Sequence, residues 1–242
     1  MSGGVDSAVT ASILLEQGFD VEGLHMTNWS DDEPYCTAAQ DHQDAMNACK
    51  ELGITMHHVN FSKEYRQEVF DTALNELNAG LTPNPDVLCN RMIKFDRFAK
   101  YAERLGGKRI ATGHYARIKY SKDSSPNINR SSKIVQRHQL LRGLDKNKDQ
   151  SYFLYDLSQE MLEKVVFPLG ELTKEDTRKE ATRYGLRTAK KPESQDLCLA
   201  DHYGSMHAFL DKFIPPRKGE IVLKDGTILG EHDGIEHFTI GQ

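Results

Sequence analysis

The chain begins MSGGVDS, directly ahead of an amphipathic helical pattern, and that junction limits the folds open to it. Ser, Asp and Gly are favoured where a helix starts because they satisfy or leave open its first N–H groups, so one reading is a plain N-cap. The other reading is a ligand cradle. Gly3 and Gly4 let the backbone come close to a bound group, while the N–H groups of Val5, Asp6 and Ser7 and the helix dipole converge on one point that favours phosphate. Val9 and Ile13, with Ala8, Ala11 and Leu15, form an apolar stripe, and Gly18 offers a left-handed stop, so a helix is expected over 6–17. The loop matches neither the Walker pattern GxxxxGK nor GxGxxG, and it contains no lysine to neutralise terminal phosphates.

The pattern that follows alternates strand and helix. DVEGLHM (20–26), ITMHHVNF (54–61) and KRIATGH (108–114) read as strands. Between them, Thr37 with Gln40 forms a capping-box signature ahead of a stripe of Ala45, Met46, Cys49 and Leu52 that stops at Gly53, and residues 63–78 and 91–105 read as helices. Such alternation implies βαβ units and a parallel sheet, which binds ligands at the carboxyl ends of its strands. SGGVDS, Met26, Gly113 and His114 all fall there. ARIKY and IVQRHQLL read as hairpin strands around a Ser/Asn-rich insertion at 121–133, and Thr173 as the cap of a helix running to Gly185. KGEIVLKDGTILGEH is a strand, an Asp-Gly turn and a strand. The expected organisation is an α/β nucleotide-binding domain over 1–203 followed by the start of a small β domain over 204–242.

Composition excludes several classes. With 242 residues and 38% hydrophobic content the chain can bury one good core and a small appendage, and no apolar run approaches the ~18 residues of a membrane span. A net charge of −5 argues against a uniformly basic nucleic-acid coat, while leaving room for local patches such as Arg97 to Arg109 or Arg130 to Lys148. Cys36, Cys49, Cys89 and Cys198 lack metal-ligand spacing, so no protein metal site is expected, and their number suits a reducing compartment.

Two cysteines sit in distinctive settings. TPNPDVLCN (82–90) has two prolines that break helix, then Asp86 three residues before Cys89 near the start of the next helix, where a thiolate is stabilised. ESQDLC (193–198) places Cys198 after a polar loop. Taken singly, each fits a structural role better than a reactive one.

SGGVDS resembles the pyrophosphatase loop of enzymes that split ATP into AMP and pyrophosphate. SGGVDS, GLHMTNW (23–29), TPNPDVLCN, IKFDRF (93–98), ATGHYAR (111–117), LLRGLDKNKDQSYFL (140–154) and the late cysteine together resemble, in order, the tRNA-specific 2-thiouridylases of bacteria and mitochondria. The resemblance implies an adenine nucleotide alpha-hydrolase-like domain that replaces the 2-oxygen of a tRNA wobble uridine with sulfur. Ser2, Gly3, Gly4, Val5, Asp6, Ser7, Met26 and Gly113 would hold ATP, with Mg²⁺ bridging its phosphates. Cys198 would carry a persulfide delivered by a relay protein, and Cys89 would be the nucleophile that closes a Cys89–Cys198 disulfide, with Asp86 as acid or base. Asn84, Pro85, Asp86, His114, Lys148, Asp149 and Gln150 match stretches that meet the tRNA, whose target base must leave the stack.

The family pattern has a strand before the loop and a β-barrel domain after TIGQ, and neither is found in these 242 residues, so a missing first strand and an absent barrel are expected. SQDLCLAD keeps the late cysteine but departs from the Gly and Ile-Cys-Phe-like run around it. The Ser/Asn-rich insertion points to the mitochondrial matrix, with the bacterial cytoplasm as the alternative, and a monomer is expected. Rival readings are an amidotransferase-like synthetase that adenylates a small carboxylate or carbonyl, needing no paired cysteines, and an ATP-binding module without chemistry.

Overall fold

A computed structural model of the protein describes residues 1–29, 38–123, 135–192, 208 and 210–238. Thr37 of the expected capping box, Cys36, most of the Ser/Asn-rich insertion, the ESQDLC segment with Cys198, and TIGQ lie outside the described residues.

The opening helix forms where periodicity puts it, as α1 (Val5–Glu16), with Val5, Ala8, Val9, Thr10, Ala11 and Ser12 buried. Glycine ends this first turn of the fold, at Gly18 in the left-handed region with φ of 82°. β1 (Gly23–Thr27) follows, then α2 (Ala38–Leu52) and β2 (Met56–Asn60), which pairs with β1 in parallel register from Gly23 opposite Met56 to Thr27 opposite Asn60. Parallel neighbours need a crossover, and α2 is that crossover. Ala45 and Cys49 of its expected stripe are buried, but Met46 is 41% exposed. Residue 46 follows Ala45 by about 100° of helical rotation, which carries it off the face that meets the sheet.

Two long helical runs come next. One consists of α3 (Ser62–Tyr65), a π-helical stretch (Arg66–Phe70) and α4 (Asp71–Asn78). The other consists of α5 (Pro85–Leu88), a π-helical stretch (Cys89–Phe98) and α6 (Ala99–Arg104). The second run starts six residues before the expected 91, and of the two prolines expected to break helix within 82–90, Pro85 opens it instead. Pro85 occupies the first helical position, where its missing N–H costs nothing and its fixed φ suits the helix, and Asn84 caps it by accepting from Val87 N–H at 3.2 Å.

The second parallel pair is β3 (Ile110–Ala111) with β6 (Val165–Val166). Between them in sequence, β4 (Ala116–Asp123) and β5 (Val135–Arg142) form the antiparallel hairpin, and α7 (Gln159–Lys164) leads into β6. α8 (Lys174–Arg183) opens with a full capping box, Thr173 Oγ1 accepting from the Asp176 N–H and Asp176 accepting from the Thr173 N–H. β7 (Gly219–Val222) and β8 (Ile228–His232) make the small antiparallel pair around Asp225-Gly226, a longer connection than a two-residue turn.

The core that matters for the site lies under α1. Val5, Ala8 and Val9 pack with Ala48 of α2, with Tyr115 and Leu169, and with Ala181 and Leu186 at and after α8. Each large apolar side chain buried in this way contributes about 1.5–3 kcal/mol. The first helix is therefore held by segments from both ends of the 1–191 stretch. No helix among the described residues is long and apolar enough to cross a membrane.

Candidate nucleotide and thiol site

The loop ahead of α1 is built around one backbone requirement and one missing cap. Gly3 takes φ of 79°, and a Cβ there would stand 2.6 Å from the Asp41 carbonyl oxygen, so only glycine fits. Gly4 is the N-cap and, having no side chain, leaves the first-turn N–H groups of this 12-residue helix without a side-chain acceptor. Ser2 and Ser7 hydroxyls lie 3.1 Å apart beside them, and Ser7 Oγ donates to the Gly4 carbonyl at 3.2 Å. Uncapped N–H groups at a positive dipole end are donors that suit a phosphate chain, so these residues fit a nucleotide's phosphates.

Gly113 is pressed onto that loop. A Cβ at residue 113 would fall 2.8 Å from Asp6 Cβ and 3.1 Å from Ser7 N, so β3's carboxyl end and the loop touch through a glycine. Met26, at the carboxyl end of β1, packs against the cluster of Phe61, Val69, Cys89 and Ile93, which places a nucleotide-site candidate beside the thiol candidate.

Cys89 itself is 9% exposed and is the fifth residue of its helix, with Asp86 three residues earlier on the same face. The helix end is thus a full turn away from the thiol, which packs in a cluster with Phe61, Val69 and Ile93. The residue after it is pinned: Asn90, buried, donates from Nδ2 to the Phe153 carbonyl at 3.3 Å, while its Oδ1 is buried with no hydrogen-bond partner. Arg91 then pairs with Asp156 at 2.6 Å. These two contacts tie the thiol-bearing helix to the segment that follows Lys148, Asp149 and Gln150.

The expected RNA-facing side chains divide. Asn84 is engaged as the helix cap. Asp149 closes its own turn, accepting from Gly143 N–H at 3.0 Å and from Ser151 N–H at 3.1 Å, and Gln150 Oε1 accepts from Tyr115 N–H at 3.1 Å. His114 lies 9% exposed between the rings of Phe95 and Phe167, each centroid 5.9 Å away, with Thr112 Oγ1 at 2.8 Å from Nδ1. Burial, with Lys94 nearby, pushes its pKa well below the ordinary histidine value, so it is neutral at pH 7.

Several site residues leave no local trace in the sequence. Asp6 receives both Lys174 Nζ, at 2.8 Å to each carboxylate oxygen, and the Tyr115 hydroxyl at 2.9 Å. The same Tyr115 hydroxyl lies 3.0 Å from Thr177 Oγ1 on α8. On the other side of the loop Lys191 Nζ reaches Asp44 at 2.6 Å, Asp41 at 3.1 Å and the Gly3 carbonyl at 3.3 Å, and that contact holds the Asp44 carboxyl below its usual range. The one signal available beforehand was the absence of lysine from the loop, which requires positive charge from elsewhere. His25, His42 and His58 cluster with centroids 4.8–5.6 Å apart, His25 and His58 stacked and His42 edge-on to both, yet among the described residues no group of three or more ligating side chains is placed to hold a metal ion.

Comparison with known proteins adds the family context. The model of the tRNA methyl transferase HUP domain matches residues 1–202, and that of the tRNA methyl transferase PRC-barrel domain matches 207–242. An adenine nucleotide alpha-hydrolase-like domain and part of a β domain are thereby both accounted for. Proteins described as tRNA-specific 2-thiouridylase MnmA from Prochlorococcus marinus and from Parasynechococcus marenigrum are each 55% identical to all of this chain, which covers 59% and 58% of their lengths. One from a Synechococcus species is also 55% identical and is covered to 59%. The chain spans about three-fifths of the curated relatives it matches.

Proposed function

This chain belongs to the tRNA methyl transferase HUP domain family, and on that premise we propose that it is the catalytic part of a tRNA 2-thiouridine synthase. The observation that carries the reading is 55% identity, across the whole chain, to proteins described as tRNA-specific 2-thiouridylases. The family description speaks of methyl transfer, but an uncapped glycine loop at a helix N-terminus suits a nucleotide triphosphate, and the chemistry we assign is adenylation.

In this reading Ser2 to Ser7, Met26 and Gly113 hold ATP, whose phosphates carry Mg²⁺. The uridine 2-oxygen attacks the α-phosphorus and pyrophosphate leaves. A carbonyl oxygen is a poor leaving group, whereas AMP is a good one. The terminal sulfur of a persulfide on Cys198 attacks the activated carbon and AMP departs with the original oxygen. Cys89 thiolate then attacks the Cys198 sulfur, freeing the thiouridine and leaving a Cys89–Cys198 disulfide that an external dithiol reduces with two electrons. Asp86, one turn before Cys89, takes up or returns the proton. A persulfide-carrying protein supplies the sulfur, the substrate is a tRNA with a wobble uridine flipped out of its stack, and the chain works as a monomer.

The cyanobacterial sources of the relatives favour the bacterial cytoplasm over the mitochondrial matrix as its compartment. Pyrophosphate release and 2-thiouridine formation from ATP, unmodified tRNA and a persulfide donor, compared across the parent, Cys89→Ser and Cys198→Ser, test the reading. Pyrophosphate from all three with thiouridine only from the parent is expected. Thiouridine made without either cysteine would refute the mechanism, and full activity of Cys89→Ser on a small carboxylate would favour the synthetase rival.

A further inference from the structure

The SGGVDS loop lacks the lysine that other phosphate loops carry, while Asp6 adds a negative charge at the very helix end where phosphates would approach. Left alone, that carboxylate would repel a triphosphate. It is not left alone: Lys174 Nζ lies 2.8 Å from both of its oxygens, with the lysine side chain only 13% exposed and the aspartate 33%. The lysine is placed there with care. It is the first residue of α8, fixed by the Thr173 capping box, its own N–H donates to Asp145 at 2.9 Å, and its ammonium lies over the Tyr115 ring at 5.7 Å. Tyr115 and Thr177 complete the bridge from α8 to Asp6.

We propose that Lys174 is the phosphate-neutralising cation of this site, supplied in cis by α8 from far along the same chain. Asp6 holds the ammonium beside the uncapped end of α1, and the β- and γ-phosphates of a nucleoside triphosphate recruit it. Pyrophosphate is the leaving group of adenylation, so a cation placed on those two phosphates stabilises the charge that develops as it departs. The lone lysine of a Walker loop performs this task from within the loop, whereas here the cation arrives from 168 residues away. The inference rests on the ATP-using reading above and extends it to a residue that reading did not include.

Equilibrium binding of Mg·ATP and of AMP to the full chain tests it, with the parent, Lys174→Gln and Lys174→Arg compared and the thermal midpoint of each recorded without nucleotide. A cation for the β- and γ-phosphates predicts that Lys174→Gln raises the Kd for ATP tenfold or more, leaves the Kd for AMP within about twofold, and that Lys174→Arg recovers most of the loss. A purely structural ion pair would instead weaken both nucleotides equally in step with a lowered midpoint, and that result, or an unchanged Kd for ATP, overturns the inference while leaving the proposed function standing. A parent that bound neither nucleotide would overturn the ATP-using reading and this inference together.

Discussion

Gly113→Ala perturbs the site by a single methyl group, added where two segments touch through bare backbone. The new Cβ would lie 2.8 Å from Asp6 Cβ, 2.9 Å from Asp6 C and 3.1 Å from Ser7 N, against ordinary contacts of 3.4 Å or more, a shortfall of about 0.6 Å at the tightest point. Two of those three atoms are backbone, so no side chain can swing away and relieve the contact. The loop must move by a comparable distance, and crowding of this kind costs about 1–3 kcal/mol. For a chain of this size that lowers the thermal midpoint by about 2–4 °C per kcal/mol. The larger effect is on ligand geometry: the displaced atoms are those of the phosphate cradle, and misplacement by a sizeable fraction of an ångström costs at least an order of magnitude in a preorganised site. Calorimetric titration with Mg·ATP is expected to give a Kd raised about tenfold or more, while Gly230→Ala, at a site with nothing within 4 Å of the added methyl group, binds as the parent does. A Gly113→Ala protein with the parent's midpoint and the parent's Kd would refute the reasoning that the loop is seated on this glycine.

Buried neutral histidines predict a pH dependence. His114 and His25 both titrate below their ordinary value in the fold, chiefly through burial, so between the folded and unfolded pKa the unfolded chain binds more protons and stability falls as pH drops below about 6.5, by up to about 1.4 kcal/mol per pH unit for each. Urea denaturation at a series of pH values should show this slope reduced in His114→Phe, and an unchanged slope would remove His114 from the account. Arg91→Ala breaks an ion pair with both partners partly exposed, so stability should change by less than about 1 kcal/mol, yet thiouridine formation should fall through kcat with the Kd for ATP unchanged, since Arg91 links the Cys89 helix to the 151–156 segment. Equal loss in both quantities would show that the pin is merely structural.

Much of the architecture was legible because it is written locally. The apolar stripe of α1, the crossover helix between β1 and β2 and the Thr173 cap each depend on residues within a few positions of one another, and periodicity reads such signals directly. Pro85 misled because proline has opposite meanings inside a helix and at its first position, and the preceding Asn84 was the clue to which applied. His114 lies three residues after β3, which is shorter than the 108–114 strand the pattern predicts, and sequence position does not say whether a ring faces a ligand or two phenylalanines. The partners of the loop were illegible for a different reason. Asp6 meets Tyr115 and Lys174 at separations of 109 and 168 residues, and no window of sequence contains such a pair.

That separation also fixes an order of events during synthesis. The SGGVDS loop is made before the residues that complete it, and a nascent chain that stops short of residue 174 offers Asp6 no Lys174, while one that stops short of 191 leaves the Gly3 carbonyl and the Asp41 and Asp44 carboxylates without Lys191. Contacts this distant in sequence pay their loop-closure entropy late. The loop is therefore made early and finished late, and a polypeptide still being synthesised holds back its grip on nucleotide until α8 and the turn after it have emerged to close over it.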